Sequence, residues 1–196
     1  MIKKIDESIV FEINSDIEEF TLDYENIRVV VVDNFYKNPY MVRDLVMNIP
    51  VTSYTPLRGS GYTGSTIDIL YDMRGLSPHY WKYIKKYFVT KYNSSYIDEF
   101  FSKYSFTVNV IQNSNVDSRP HVDDTGQFAS GIFLNINEEV SGGTSFYTID
   151  SGKLIGTVDM KFNRMILYEQ CIPHKAYLEE GTFIDDNYRI SQQLFI

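Results

Sequence analysis

From Phe106 onward, apolar residues fall on alternate positions, and this period constrains the fold more than any other feature of the chain. Phe106, Val108 and Val110 alternate with Thr107 and Asn109, and Ile132, Leu134 and Ile136 alternate with Phe133 and Asn135. A period of two sends successive side chains to opposite faces of a strand. Further strand-like runs read at 145–149, 154–158, 164–168, 176–178 and 188–196. Short strands divided by turns about every 8–12 residues predict a sandwich or a barrel. Region 106–196 is therefore expected to be almost all strand and turn.

Region 1–105 mixes strands and helices. Ile27-Arg28-Val29-Val30-Val31-Val32, bounded by Asp33-Asn34, reads as a buried strand. Asn38-Pro39 supplies an N-cap and a proline at the first helical position, and Met41, Val42, Leu45 and Val46 follow at helical spacing to about Asn48. These side chains read as core. Ser77-Pro78 opens a second helix through Trp81, Tyr83, Ile84 and Phe88, and 97–101 suggests a third. The glycine-rich loop from Arg58 to Gly64 lacks the Lys-Ser/Thr of a phosphate-binding loop. It reads equally as a lid and as an ordinary turn. With no linker or repeat in sight, 1–196 reads as a single domain, 1–105 supporting the strand-rich part.

The formal net charge of −8 disfavours a nucleic-acid partner, whose phosphates call for a basic footprint. Lys82, Lys85, Lys86 and Lys91 form the one notable basic cluster, read as the solvated face of a helix. No apolar run approaches the roughly 20 residues of a membrane span, and the first residues, Met1-Ile2-Lys3-Lys4, lack the apolar core of a secretory signal. The single cysteine, Cys171, forbids an internal disulfide and suits a reducing cytoplasm; it reads as buried packing. The oligomeric state is left open.

The chemistry concentrates in His121-Val122-Asp123, answered by His174 and then by Arg189-Ile190-Ser191. Residues two apart on a strand share a face, so His121 and Asp123 can grip one ion while a histidine from a distant strand completes the set. Two histidines and one carboxylate form the facial triad of non-haem Fe(II) oxygenases, which leaves positions open for a co-substrate and O2. Taken singly, His121–Asp123 also reads as a surface salt bridge and His174 as a satisfied core histidine. Arg189 and Ser191 likewise share a face of the last strand, where a guanidinium fork can meet a carboxylate. No Ser-His-Asp or Cys-His set can be assembled without reusing these histidines.

Arg119-Pro120-His121-Val122-Asp123, Phe133-Leu134-Asn135 leading to Ser141-Gly142-Gly143-Thr144-Ser145-Phe146, the strand before His174 and Arg189-Ile190-Ser191 resemble the Fe(II)/2-oxoglutarate-dependent dioxygenases. The similarity is to the prolyl-4-hydroxylase-like branch, and Asn163-Arg164-Met165-Ile166-Leu167-Tyr168 looks like bacterial and phage members of unknown substrate. A phage origin would make the location the host cytoplasm. The resemblance implies a double-stranded β-helix, the jelly roll also used by cupins, with an N-terminal α/β buttress. It places His121 and Asp123 at the end of the second barrel strand and His174 near the start of the seventh. It implies Fe(II) as the metal, with 2-oxoglutarate and O2 as co-substrates, giving succinate, CO2 and a hydroxylated C–H bond. Arg189 stands where animal prolyl hydroxylases carry Lys, with Ser191, Ser145 and Tyr168 as further co-substrate contacts. Gln112 occupies the position of a prolyl hydroxylase tyrosine, so that contact is altered. Halogenating relatives lack the carboxylate, so Asp123 implies hydroxylation.

The expected substrate is a small molecule or peptide, with room for a carboxylate near Arg58 and Arg119. Three alternatives stand beside it: a cupin-like metal-binding module or isomerase without 2-oxoglutarate turnover, a nucleic-acid-directed oxygenase, and an interaction protein that keeps the fold without turnover. Arg189-x-Ser191 separates the oxygenase from the cupin-like reading, since only the former needs an anion anchor there.

Overall fold

The valine run becomes the second strand of a seven-stranded sheet whose two faces pack against different partners. The structure, a computed structural model, describes residues 7–25, 27–48, 64–69, 74–88, 106–111, 119–123, 127–136, 142–178, 182 and 189–196. In chain order the elements are α1 (Glu7–Val10), β1 (Glu18–Tyr24), β2 (Ile27–Asp33), α2 (Pro39–Asn48), β3 (Gly64–Ile69), α3 (Ser77–Tyr87) and β4 (Phe106–Ile111). They continue with β5 (Phe128–Phe133), β6 (Gly142–Tyr147), β7 (Leu154–Asp159), β8 (Met165–Glu169), β9 (His174–Leu178) and β10 (Arg189–Phe195).

The chain is mainly β. The large sheet runs β1-β2-β8-β5-β10-β4-β3 and the small one β7-β6-β9. Every pairing is antiparallel. Alternation along the central strands then sorts the side chains. Val30, Val32, Ile132, Met165, Leu167, Ile190 and Leu194 face the helices, where Val42, Leu76, Tyr80, Tyr83 and Ile84 meet them. Val29, Val31, Ala129, Phe133, Ile166 and Tyr168 face the small sheet and pack with its Phe146 and Val158. The molecule thus layers helices, large sheet and small sheet, with one core on each side of the large sheet.

One side of the two-sheet sandwich is closed by Tyr24 at the end of β1. Its hydroxyl donates to the Thr157 carbonyl of β7 at 3.0 Å, and its ring lies against Phe146. Gly156 permits this, since a Cβ there would run into the Tyr24 ring. The opposite side carries β9, to which a single residue, His121, adds itself as an isolated bridge to His174.

Several expectations shift. The strand expected over 132–136 lies at Phe128–Phe133, because the central strand between β8 and β10 recruits Ala129-Ser130-Gly131. These residues have little intrinsic strand preference, but their small side chains suit a position buried on both faces. β1 went unanticipated: its Glu-Glu start and half-exposed pattern belong to an edge strand. The helix at Ser77-Pro78 forms, but Leu76 is its N-cap and no side chain caps it. Cys171 is exposed rather than buried, since it falls in the turn between β8 and β9. The expected helix at 97–101, the loop residues 58–63 and Gln112 lie outside the described residues, while Gly64 opens β3.

Candidate metal centre

His121 and His174 are held as a hydrogen-bonded antiparallel pair. The His121 amide donates to the His174 carbonyl at 3.0 Å, and the His174 amide returns a bond of 2.9 Å. Directly opposed residues of such a pair project to the same face, and the two rings stand 4.8 Å apart. His174 is buried and His121 is half exposed at the rim. Asp123, two residues on from His121, brings its carboxylate between the rings. Its Oδ1 lies 3.8 Å from His121 Nε2, and its Oδ2 lies 3.2 Å from His174 Nε2. One ligand atom from each of the three falls within 4.8 Å of the others. His121 is a single bridge residue rather than part of a longer strand, so backbone pairing to His174, more than strand alternation, orients it.

The tautomers follow from the backbone. His174 Nδ1 lies 2.9 Å from the Ile172 carbonyl, and His121 Nδ1 lies 3.3 Å from the Arg119 carbonyl. A carbonyl only accepts, so both Nδ1 atoms donate, which in the neutral form of each ring turns the lone pair of Nε2 toward Asp123. Acceptor then faces acceptor. Asp123 Oδ2 is buried and has no hydrogen-bond partner. A cation between the three groups resolves this arrangement, and backbone carbonyls holding the far nitrogens are the usual outer support of metal-bound histidines. The residues present fit a divalent metal ion.

Deeper between the sheets lies a cationic end. Arg189 is buried; its Nη1 donates to Ser191 Oγ at 3.1 Å and its Nη2 to the Gly143 carbonyl at 3.2 Å. Its guanidinium also sits over the Phe133 ring at 5.5 Å. The Gly142-Gly143 pair opens β6, and Gly143 has a steric cause, because a Cβ on it would overlap the Val158 carbonyl of β7. Tyr168 packs its ring against His174 at 5.0 Å. Burial and the Asp123 charge push its phenol well above the ordinary range, with Arg189 pulling the other way. It remains a proton donor at any physiological pH, placed electrostatically between the two ends of the site.

Ser145 is not brought together with these groups. Phe146 faces Tyr168, so its neighbour Ser145 points to the other side of β6, where its hydroxyl meets Thr157 Oγ1 at 2.9 Å. The hydroxyl residue on the inner face is Thr144, opposite Val158 and Ala176. Sequence reasoning missed it, although counting parity from Phe146 would have found it. It also missed Asp33, a buried carboxylate gripped by Arg164 through two oxygens at 2.6 and 2.9 Å and by Lys161 at 2.7 Å.

Residues 14–153 match the model of a family of unknown function, DUF6445. The chain belongs to this family. The matched span includes His121 and Asp123, while His174 and Arg189 lie beyond it. No curated protein sequence matches the chain. Among solved structures, it is similar to a prolyl hydroxylase from Trichoplax adhaerens in complex with a hypoxia inducible factor oxygen degradation domain peptide fragment. That similarity has 16% identity and a TM-score of 0.55 over 84% of this chain and 81% of the other. A prolyl-4-hydroxylase from Pseudomonas putida aligns at 13% identity and a TM-score of 0.42, over 79% of each chain. At such identities the Trichoplax likeness is one of fold.

Proposed function

We propose that this chain is an Fe(II)- and 2-oxoglutarate-dependent oxygenase that hydroxylates a C–H bond of a small-molecule or peptidyl substrate. The observation that carries the reading is the convergence of two histidines and an unsatisfied carboxylate, with a buried arginine behind them. In this reading 1–196 is one domain built on a double-stranded β-helix, and His121, Asp123 and His174 hold the metal. Bound Fe(II) supplies the oxidising chemistry, which couples the decarboxylation of 2-oxoglutarate by O2 to hydroxylation.

The chain's own part is binding, orientation and exclusion of water. Asp123 contributes the charge that distinguishes this donor set from one of histidines alone. Arg189 and Ser191 meet the far carboxylate of 2-oxoglutarate, the guanidinium offering paired donors of matching geometry. Tyr168 and Thr144 lie between the two ends, and the buried Phe133 and Phe146 rings keep that region dry. That the Trichoplax relative holds a peptide supports a peptidyl substrate on this fold. The net charge of −8 speaks against a polyanion. No described helix is long and apolar enough to cross a membrane.

The test is succinate formation by the Fe(II)-loaded protein, screened against amino acids, proline-containing peptides and oligonucleotides. Stimulation by an amino acid or a peptide is expected. Stimulation by oligonucleotides alone would replace the substrate class. Failure of anaerobic Mn(II)-loaded protein to bind 2-oxoglutarate would remove the oxygenase reading in favour of the cupin-like one.

A further inference from the structure

The inner face of β10 carries Arg189, Ser191 and Gln193 in succession, about 7 Å from one to the next. Ser191 Oγ accepts from Arg189 Nη1 at 3.1 Å and from Gln193 Nε2 at 3.1 Å. A hydroxyl oxygen has two lone pairs and one proton. With both lone pairs engaged, the Ser191 proton has to donate elsewhere, and among the described residues no acceptor takes it. Ser191 itself is fully buried, so water from bulk does not meet that need. Gln193, by contrast, is partly open although both its neighbours on the strand are buried. Its register partner on β5 is Gly131, beside Ile166. Gly131 leaves space there: a Cβ on it would meet the Gln193 amide no closer than 3.6 Å. One step further along, Ala129 lies between Phe195 and Tyr168. Between the cationic end and the metal end, then, the floor is made of the smallest side chains of β5, with the Gln193 amide over it.

We infer that Gln193 is a positioning residue: by donating to Ser191 it fixes the serine proton toward the anion held by Arg189, and so selects a dicarboxylate 2-oxo acid over one with a neutral tail. The inference rests on the proposed function and deepens it. Arg189 alone would attract any anion. The oriented serine hydroxyl adds a donor at a set place, useful only to a ligand long enough to put a carboxylate there. A glutamine is suited to this because its amide nitrogen can only donate. A glutamate of the same length can only accept when ionised, which turns the Ser191 proton away from the ligand and adds a like charge beside it.

The experiment is anaerobic calorimetry on the Mn(II)-loaded full chain with two probes that share the chelating end, 2-oxoglutarate and 2-oxobutyrate. Gln193→Leu is expected to weaken 2-oxoglutarate about 5-fold, as for one lost hydrogen bond, and to leave 2-oxobutyrate unchanged. Gln193→Glu should weaken 2-oxoglutarate more than Gln193→Leu does, although it keeps size and polarity, a result that a merely structural role would not give. In a Ser191→Ala background, Gln193→Leu should have no further effect. Equal 2-oxoglutarate affinity in wild type, Gln193→Leu and Gln193→Glu overturns the inference and leaves the oxygenase reading standing. So does a parallel loss for both probes. Wild-type protein that binds neither probe overturns both.

Discussion

The two faces of the large sheet are built from the same strands and treat their polar groups in opposite ways. Toward the helices, Tyr36 donates to Gln192 Oε1 at 2.8 Å and the Tyr80 hydroxyl meets Ser130 Oγ at 2.8 Å, both among tightly packed aromatic rings. Burial pushes both phenols far above their ordinary range, so each is a neutral bonded hydroxyl, with the Gln192 amide nitrogen left over. Toward the small sheet, two imidazoles and a carboxylate turn acceptors on one another, and a buried guanidinium lies behind them. Satisfied polar groups specify a core; groups satisfied only by something from outside specify a binding site. The helix face leaves over one neutral amide nitrogen, whereas the other face leaves a buried carboxylate oxygen among ionisable groups, where a ligand would be held.

Breaking each face separately should give separable losses. His174→Ala has the largest expected effect: stoichiometric Mn(II) binding disappears by calorimetry while far-ultraviolet dichroism is unchanged. Near wild-type metal affinity in that variant would sink the triad. Asp33→Asn should do the reverse, costing about 3–5 kcal/mol in denaturant unfolding, since it leaves Arg164 and Lys161 facing a neutral group, with metal affinity preserved.

Its pH dependence has a definite sign. Burial alone would raise the Asp33 pKa, but hydrogen bonds from Arg164 and Lys161 outweigh it and hold the folded value below the ordinary carboxylate range. The stabilisation is therefore present above the unfolded pKa and lost as pH falls through the folded one. Wild type and Asp33→Asn should differ fully near neutrality, begin to converge as pH falls below about 4, and coincide only below the folded pKa. A gap that persisted in acid would assign the loss to packing.

Arg189→Ala should keep the metal and weaken 2-oxoglutarate at least about 10-fold, about 1.4 kcal/mol. Unchanged affinity would place the anchor elsewhere. The smallest effect belongs to the helix side: Tyr36→Phe should cost about 1–3 kcal/mol, through the unpaired Gln192 oxygen, and leave both ligands' affinities as they were.

How far the sequence spoke depended on whether the signal was local. The Val29–Val32 run, the Pro39 and Pro78 helices and strands β7 and β8 were legible because periodicity and proline act within a few residues, whereas the strand expected over 145–149 starts earlier, at Gly142. β5 was misplaced because Ala129-Ser130-Gly131 is a strand only by virtue of β8 and β10 on either side. The triad residues were legible as a pattern of types. That Ser145 turns to the other face of β6 could not be read locally, because only the packing of Phe146 fixes which face looks inward. Asp33 was invisible, since its partners lie more than a hundred residues away in the turn before β8.

The isolated bridge between His121 and His174 has a consequence for handling the protein. Two backbone bonds are all that attach this rim to the open edge of β9 among the described residues, and a metal ion would join the same two residues through their rings. The ion then acts as a clasp on a sheet margin, adding stability in proportion to the logarithm of its free concentration. Chelation should loosen the clasp and expose a strand edge that templates intermolecular pairing. Storage with chelator should therefore produce aggregates that metal-replete buffer does not, at temperatures where the layered core is still folded.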